Sequence, residues 1–233
     1  MKRFYRDVTT APAEGGWRVT LDGRPIRTPR GAAQVVPTEA LAELLAGEWR
    51  SQGEEIDPRS LVFRDMADYA IDVVAADRAE AVETLLRYAD TDTLCYRADP
   101  DEPLHRRQVE LWEPLVESCE RRHGVAFQRV SGIVHRAHPP ETLATLRAVL
   151  ESANPFELAA LINLASLAAS LVVALAAIEP DANAEELFAA ANCEEDWQAE
   201  QWGWDSEAEK RRAARLAGFV AATRFAAAAR NPS

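Results

Sequence analysis

Hydrophobic and polar positions change their period once along this chain. Near the start, apolar residues sit in short runs separated by turn residues, and beyond residue 58 they recur every three or four positions. The runs 4–8, 17–21, 25–28 and 33–36 predict strands; Asp22-Gly23 between the second and third is a strong hairpin signal, and Pro29-Arg30-Gly31 marks the next turn. Thr38 is placed to cap a helix whose stripe is Leu41, Leu44, Leu45 and Trp49 and which ends near Gln52-Gly53. Helical spacing then predicts helices over 61–74, 77–89, 104–123 (closed by Gly124), 141–152 and 156–178, with two more after them. Ser206 and Glu209 read as the capping box of the last, which carries Leu216, Phe219, Val220 and Phe225. The fold class expected is α+β: a small antiparallel β-rich N-terminal domain over 1–55 that ends in a helix, followed by a larger α-helical C-terminal domain over 56–233.

The segment 156–178 tests that picture, because Glu157 is its one charge and it is long enough to cross a bilayer. Its ends argue for a buried helix instead. Asn154-Pro155-Phe156-Glu157 supplies a cap, a first-turn proline and an acid, and Glu179-Pro180-Asp181 ends the helix with more acid. Basic and aromatic anchors are missing from both flanks, so a helix at the centre of a soluble helical domain is expected, without membrane insertion.

Charge narrows the partners. Lys and Arg number 26 and Asp and Glu 38, giving a net charge of -12, which repels nucleic acid and favours soluble partners with a basic face. Cys95, Cys119 and Cys193 are odd in number and lack metal or disulfide spacing. The start, Met1-Lys2-Arg3-Phe4-Tyr5, has no apolar signal core and no amphipathic leader, so a cytoplasmic bacterial protein is expected.

Catalytic signatures are mostly absent. No Gly-rich phosphate loop, G-x-S-x-G or H-E-x-x-H is found, so no nucleotide, cofactor or metal is expected. His135-x-x-His138 is read as loop, and Asp90-Thr91-Asp92 as the cap of the next turn. The stretch 192–212 stands out, since three of the six tryptophans, Trp197, Trp202 and Trp204, fall in one acidic segment. Projected as a single helix, Leu187, Ala190, Ala191, Glu194, Trp197, Gln198 and Gln201 share a face, which sets Glu194 on the apolar side and turns Asp196 away. A carboxylate there is either paired with a cation inside the fold or waiting for a partner's. The competing reading is a small-molecule or metal-dependent enzyme that uses the acidic Glu194 region as general acid or cation site.

Taken in order, L-D-G-R-P-I-R-T-P (21–29), P-T-E-A-L-A (37–42), E-W-R-S-Q-G-E (48–54), I-D-P (56–58), T-D-T-L-C-Y-R-A (91–98), Q-x-x-x-W-x-P-L (108–115), S-G-I (131–133) and W-Q-x-x-x-W-G (197–203) resemble one family, the ATP-twelve assembly chaperones of ATP synthase. The resemblance implies a chaperone without enzymatic activity that transiently binds the unassembled alpha subunit of the catalytic head. It ties function to the acid just ahead of the aromatic-Gln pair, which falls on Glu194, Glu195 and Asp196, with Glu194 the foremost, beside Trp197, Gln198 and Trp202 as partner-binding residues. Two positions depart from the family pattern: Asp68-Tyr69 stands where Asn-Thr is frequent, and Ala169 where a glycine is common.

Overall fold

The computed structural model describes residues 1–230, and by compactness they form two units. The first comprises Met1–Ala81, Asn154–Ala160 and the described residues from Arg224 on; the second comprises Val82–Ala153 and Leu161–Thr223. Compactness thus divides the chain elsewhere than the change from strand to helix does.

In the first unit, β1 (Val8–Ala13), β2 (Gly16–Leu21) and β3 (Arg24–Pro25) form an antiparallel sheet in that order. The expected hairpin is present, with Asp22 (φ 50°) and Gly23 (φ 77°) both in the left-handed region that a tight two-residue turn requires. The first strand is not at 4–8. It starts at Val8 and runs through Pro12, pairing from Val8↔Leu21 to Ala13↔Gly16, because the turn at Glu14-Gly15 sets the register and an edge strand tolerates a proline. Residues 33–36 make isolated bridges, Arg27↔Ala33 and Trp17↔Val36, in place of a fourth strand. Gly16 is required there: the Trp17 amide donates to the Val36 carbonyl at 2.8 Å, and a Cβ on Gly16 would stand 2.2 Å from that oxygen.

Helix α1 (Glu39–Arg50) packs on β1 and β2 with Leu41, Ala42, Leu45, Ala46 and Trp49 buried, and Thr38 caps it by accepting from the Leu41 amide at 3.0 Å. After a 3-10 turn (Pro58–Ser60), the predicted 61–74 helix is α2 (Val62–Tyr69) followed by a π-helical turn (Ala70–Val74). Leu61 has no capping side chain, and Glu48 reaches across from α1 to take that role, accepting from the Phe63 and Arg64 amides at 2.6 and 2.9 Å.

In the second unit, α4 (Pro103–His123) runs through the middle with Gln108, Trp112, Val116 and Cys119 buried, and ends on Gly124 in the left-handed conformation. Beside it lies α5 (Pro140–Ser152), and the unit also holds α3 (Arg78–Asp90, from Val82) and a short parallel pair, β4 (Tyr96–Arg97) with β5 (Val130–Ser131). His138 is a core residue: its Nδ1 accepts from the Gln128 amide at 3.0 Å, so its Nε2–H donates to the Ala89 carbonyl, also at 3.0 Å.

The predicted single helix 156–178 is two helices, α6 (Pro155–Ala168) and α7 (Leu171–Ala177). Between them Ala169 has φ 49° and Ser170 caps α7. The cause is Asp92, fully enclosed by the fold. Its carboxylate accepts from the Leu94 amide at 3.1 Å, and from the Ser170 hydroxyl and the Val172 amide, each at 2.9 Å. Those donors are available only where the helical ladder is open. No helix among the described residues is long and apolar enough to cross a membrane.

Candidate functional site

The acidic, indole-rich stretch follows α8 (Ala184–Ala191) as α9 (Cys193–Trp202), and α10 (Ser206–Ala229) comes next. One continuous helical projection does not hold across this segment. Asn192 leaves helical geometry at φ -105°, ψ 21°, and its side-chain amide folds back to donate to the Phe188 carbonyl at 2.8 Å. An asparagine that bonds its own preceding turn offers the backbone an alternative to the helix. The bend rotates everything after it, so Cys193 is buried while Glu194 is exposed, and Asp196, expected to point away, is half-buried.

Two side chains one turn apart on α4 hold this bend. Trp112 donates its indole N–H to the Ala190 carbonyl at 2.7 Å. Gln108 accepts from the Ala98 amide at 2.8 Å and donates from Nε2 to Glu194 Oε1 at 2.6 Å. Glu194 is therefore held by a buried neutral amide, and not by a cation.

The remaining acids have their cations inside the fold. Asp196 pairs with Arg212 at 2.6 Å, both side chains about one-fifth exposed. Glu195 pairs with Arg215, which like Arg212 lies on α10. Glu200 pairs with Arg107 of α4 at 2.5 Å, and this contact lowers the Glu200 carboxyl and raises the Arg107 guanidinium. The same arginines lie over aromatic rings, Arg107 at 5.8 Å from the Trp197 centroid and Arg212 at 5.4 and 5.7 Å from those of Phe188 and Trp204. Placing Glu194, Glu195 and Asp196 in the first turn of α9 also matches the positive end of the helix dipole.

What this arrangement leaves outward is indole. Trp202 is 80% exposed and Trp204 42%, on either side of Gly203, whose φ of 85° ends α9; Gln198 is exposed as well. The structure gathers Glu194, Glu195, Asp196, Trp197, Gln198 and Trp202 on one short helix and adds what sequence reasoning missed: Gln108, Trp112, Arg107, Arg212 and Arg215. The i, i+4 spacing of Gln108 and Trp112 in the fourth helix was the available signal. The cap of α10 is also corrected. Asp205 accepts from the Ala208 amide at 3.3 Å, and Ser206 is the first helical residue. Among the described residues no three His, Cys, Asp or Glu side chains are grouped to hold a metal ion.

Comparison with known proteins places this geometry. The family model described as ATP12 chaperone protein matches residues 2–120. Protein atp12, mitochondrial, of Schizosaccharomyces pombe is 30% identical over 214 residues, covering 87% of this chain and 74% of that protein. The crystal structure of Atp12 from Paracoccus denitrificans is 38% identical with a TM-score of 0.92 and 98% of each chain covered, and a mutant of that protein with one aspartate changed to lysine gives the same values. An Agrobacterium tumefaciens protein proposed to be a chaperone is 41% identical with a TM-score of 0.92, over 97% of this chain and 85% of that one. The relatives are named as chaperones and not as enzymes, and their fold is the small antiparallel sheet and helical remainder found here: this chain belongs to the ATP12 chaperone protein family.

Proposed function

We propose that this protein binds the unassembled alpha subunit of the F-type ATP synthase catalytic head, shields the surface that the beta neighbour takes in the finished ring, and releases it to the beta subunit in the bacterial cytoplasm. As an ATP12-family chaperone it serves ATP synthase assembly. The finer reading rests on one observation: an indole 80% exposed at the end of a helix whose acids are already partnered. An unassembled ring subunit exposes apolar surface that self-pairs or aggregates. A protruding tryptophan on a rigidly braced helix is suited to anchor on such a surface, and exchange for a better-fitting subunit needs no nucleotide.

The acids are then the brace of the site, setting where Trp202 and Gln198 stand. An enzyme using the Glu194 region as acid or base requires carboxylates available to a substrate, whereas here Arg107, Arg212, Arg215 and Gln108 occupy them. The test is suppression of alpha-subunit aggregation by wild type, Trp202→Ala and the control Glu209→Lys, with melting temperatures for each. Trp202→Ala is expected to melt like wild type and to bind the alpha subunit roughly thirty-fold or more weakly, the loss of about 2 kcal/mol that marks an aromatic anchor. Full protection by Trp202→Ala would refute the anchor.

A further inference from the structure

The function proposed above makes no use of the L-D-G-R-P-I-R-T-P and E-W-R motifs, yet the first unit brings them together. A cavity of about 480 Å³ lies between the β2–β3 hairpin and the end of α1. Tyr5, Leu21 and Trp49 are its buried walls, Phe4 stands 64% exposed beside them, and Arg24 and Arg27 are exposed at its edge. Its size is that of a site for one or two side chains or a small ligand.

Two features indicate what it takes. The Trp49 indole Nε1–H is closed off from solvent and has no hydrogen-bond partner among the described residues, although Trp49 as a whole is only 7% exposed. Most buried polar groups are paired, so a buried donor left unpaired in a residue that lines a cavity is a candidate contact point for a ligand. The donor of its neighbour is already used, since the Tyr5 hydroxyl donates to the Trp49 carbonyl at 2.7 Å. Bringing an acceptor to Nε1 requires the wall to yield, and Phe4, whose ring meets Tyr5 edge-on at 5.3 Å, is an exposed apolar side chain of that wall. The second feature is charge. On a molecule of net charge -12, this edge presents two arginines against one carboxylate, Asp22, which accepts from the Arg6 and Asp7 amides at 3.0 and 2.8 Å, while Arg27 keeps one guanidinium nitrogen on the Gly31 carbonyl at 2.8 Å.

We propose that this cavity is a second polypeptide-binding site, one that takes an apolar side chain from an extended acidic segment, with a carbonyl or carboxylate of that segment accepting from Trp49 Nε1 and its negative charge facing Arg24 and Arg27. It lies in the first unit, apart in sequence from α9, and holds whether or not Trp202 anchors the alpha subunit.

The experiment follows the six indole N–H resonances of the full chain by proton–nitrogen correlation, with Trp49 identified from the signal lost in Trp49→Phe. The probes are acetyl-Glu-Leu-Phe-Glu-amide and acetyl-Lys-Leu-Phe-Lys-amide. The acidic peptide is expected to move the Trp49 indole signal saturably, and the basic peptide to bind at least tenfold more weakly. Arg24→Glu alone, and Arg24→Glu with Arg27→Glu, are expected to weaken the acidic peptide by a similar factor at unchanged melting temperature. A Trp49 signal that stays still with the acidic peptide overturns the proposal. So does one that moves equally with both peptides or in the charge-reversed variants, or one that shifts with protein concentration alone, which would mark a contact between copies of this chain.

Discussion

Gln108 and Glu194 are joined by a 2.6 Å hydrogen bond from a buried amide on α4 to a carboxylate in the first turn of α9. The amide has no second orientation to offer, because its oxygen already accepts from the Ala98 backbone. A neutral donor fixed in this way ties the acidic helix to α4 alongside the Asp196–Arg212 and Glu195–Arg215 pairs, and it keeps Glu194 at the surface while its inner oxygen serves the fold.

Glu194→Lys is accordingly expected to lower stability by about 1–3 kcal/mol, since the buried Gln108 amide loses its acceptor and faces an ammonium group. Glu194→Gln, which retains an acceptor oxygen, is expected to lose less, and Glu209→Lys to stay within about 0.5 kcal/mol of wild type. Urea denaturation of the three variants checks the order. A Glu194→Lys protein as stable as wild type would mean that the Gln108 bond contributes nothing.

The Asp196–Arg212 pair predicts a charge-swap result. Asp196→Arg leaves two half-buried cations facing each other and is expected to cost about 2–4 kcal/mol, while adding Arg212→Asp is expected to restore at least half of the loss. Additive losses in the double variant would show that the two side chains do not act on each other.

Ala169 sits at φ 49°, a conformation that costs an L residue roughly 1–2 kcal/mol and glycine almost none. Part of that gain is offset by the larger conformational entropy glycine brings to the unfolded chain. Ala169→Gly is therefore expected to raise stability by about 0.5–1 kcal/mol, read from the urea midpoint at unchanged slope. The departure from a common glycine at this position is thus a local backbone cost.

Asp92 predicts a pH dependence. Burial pushes its carboxyl up from the usual 3.8 to about 6, against the hydrogen bonds from Val172, Ser170 and Leu94. The folded chain then holds this proton more tightly than the unfolded chain does, so the contribution of Asp92 is greatest below pH about 4, falls as pH rises to about 6, and is level above that. The stability of wild type minus that of Asp92→Asn is expected to drop through this window by an amount on the order of 2–3 kcal/mol. A difference that rises with pH would reverse the sign and refute burial as the dominant effect.

Much was legible in the chain because it depends on near neighbours. The Asp22-Gly23 hairpin, the Thr38 cap, the stripe of α1, the left-handed Gly124 and the capping role of Asp92 each follow from residues within a turn or two of one another, and the order of the eight motifs carries the family. What the sequence withheld depends on residues far apart. The opening of 156–178 at Ala169 is set by a carboxylate that arrives from residue 92. The facing of α9 is set by a bend at Asn192 that Gln108 and Trp112 hold from α4, and the exposure of Trp202 follows from arginines of α4 and α10 that take up the neighbouring acids. Periodicity reports which side of a helix is apolar only while the helix is continuous. Once a distant donor or acceptor makes it favourable to break the backbone ladder, the packed structure alone decides where each side chain points.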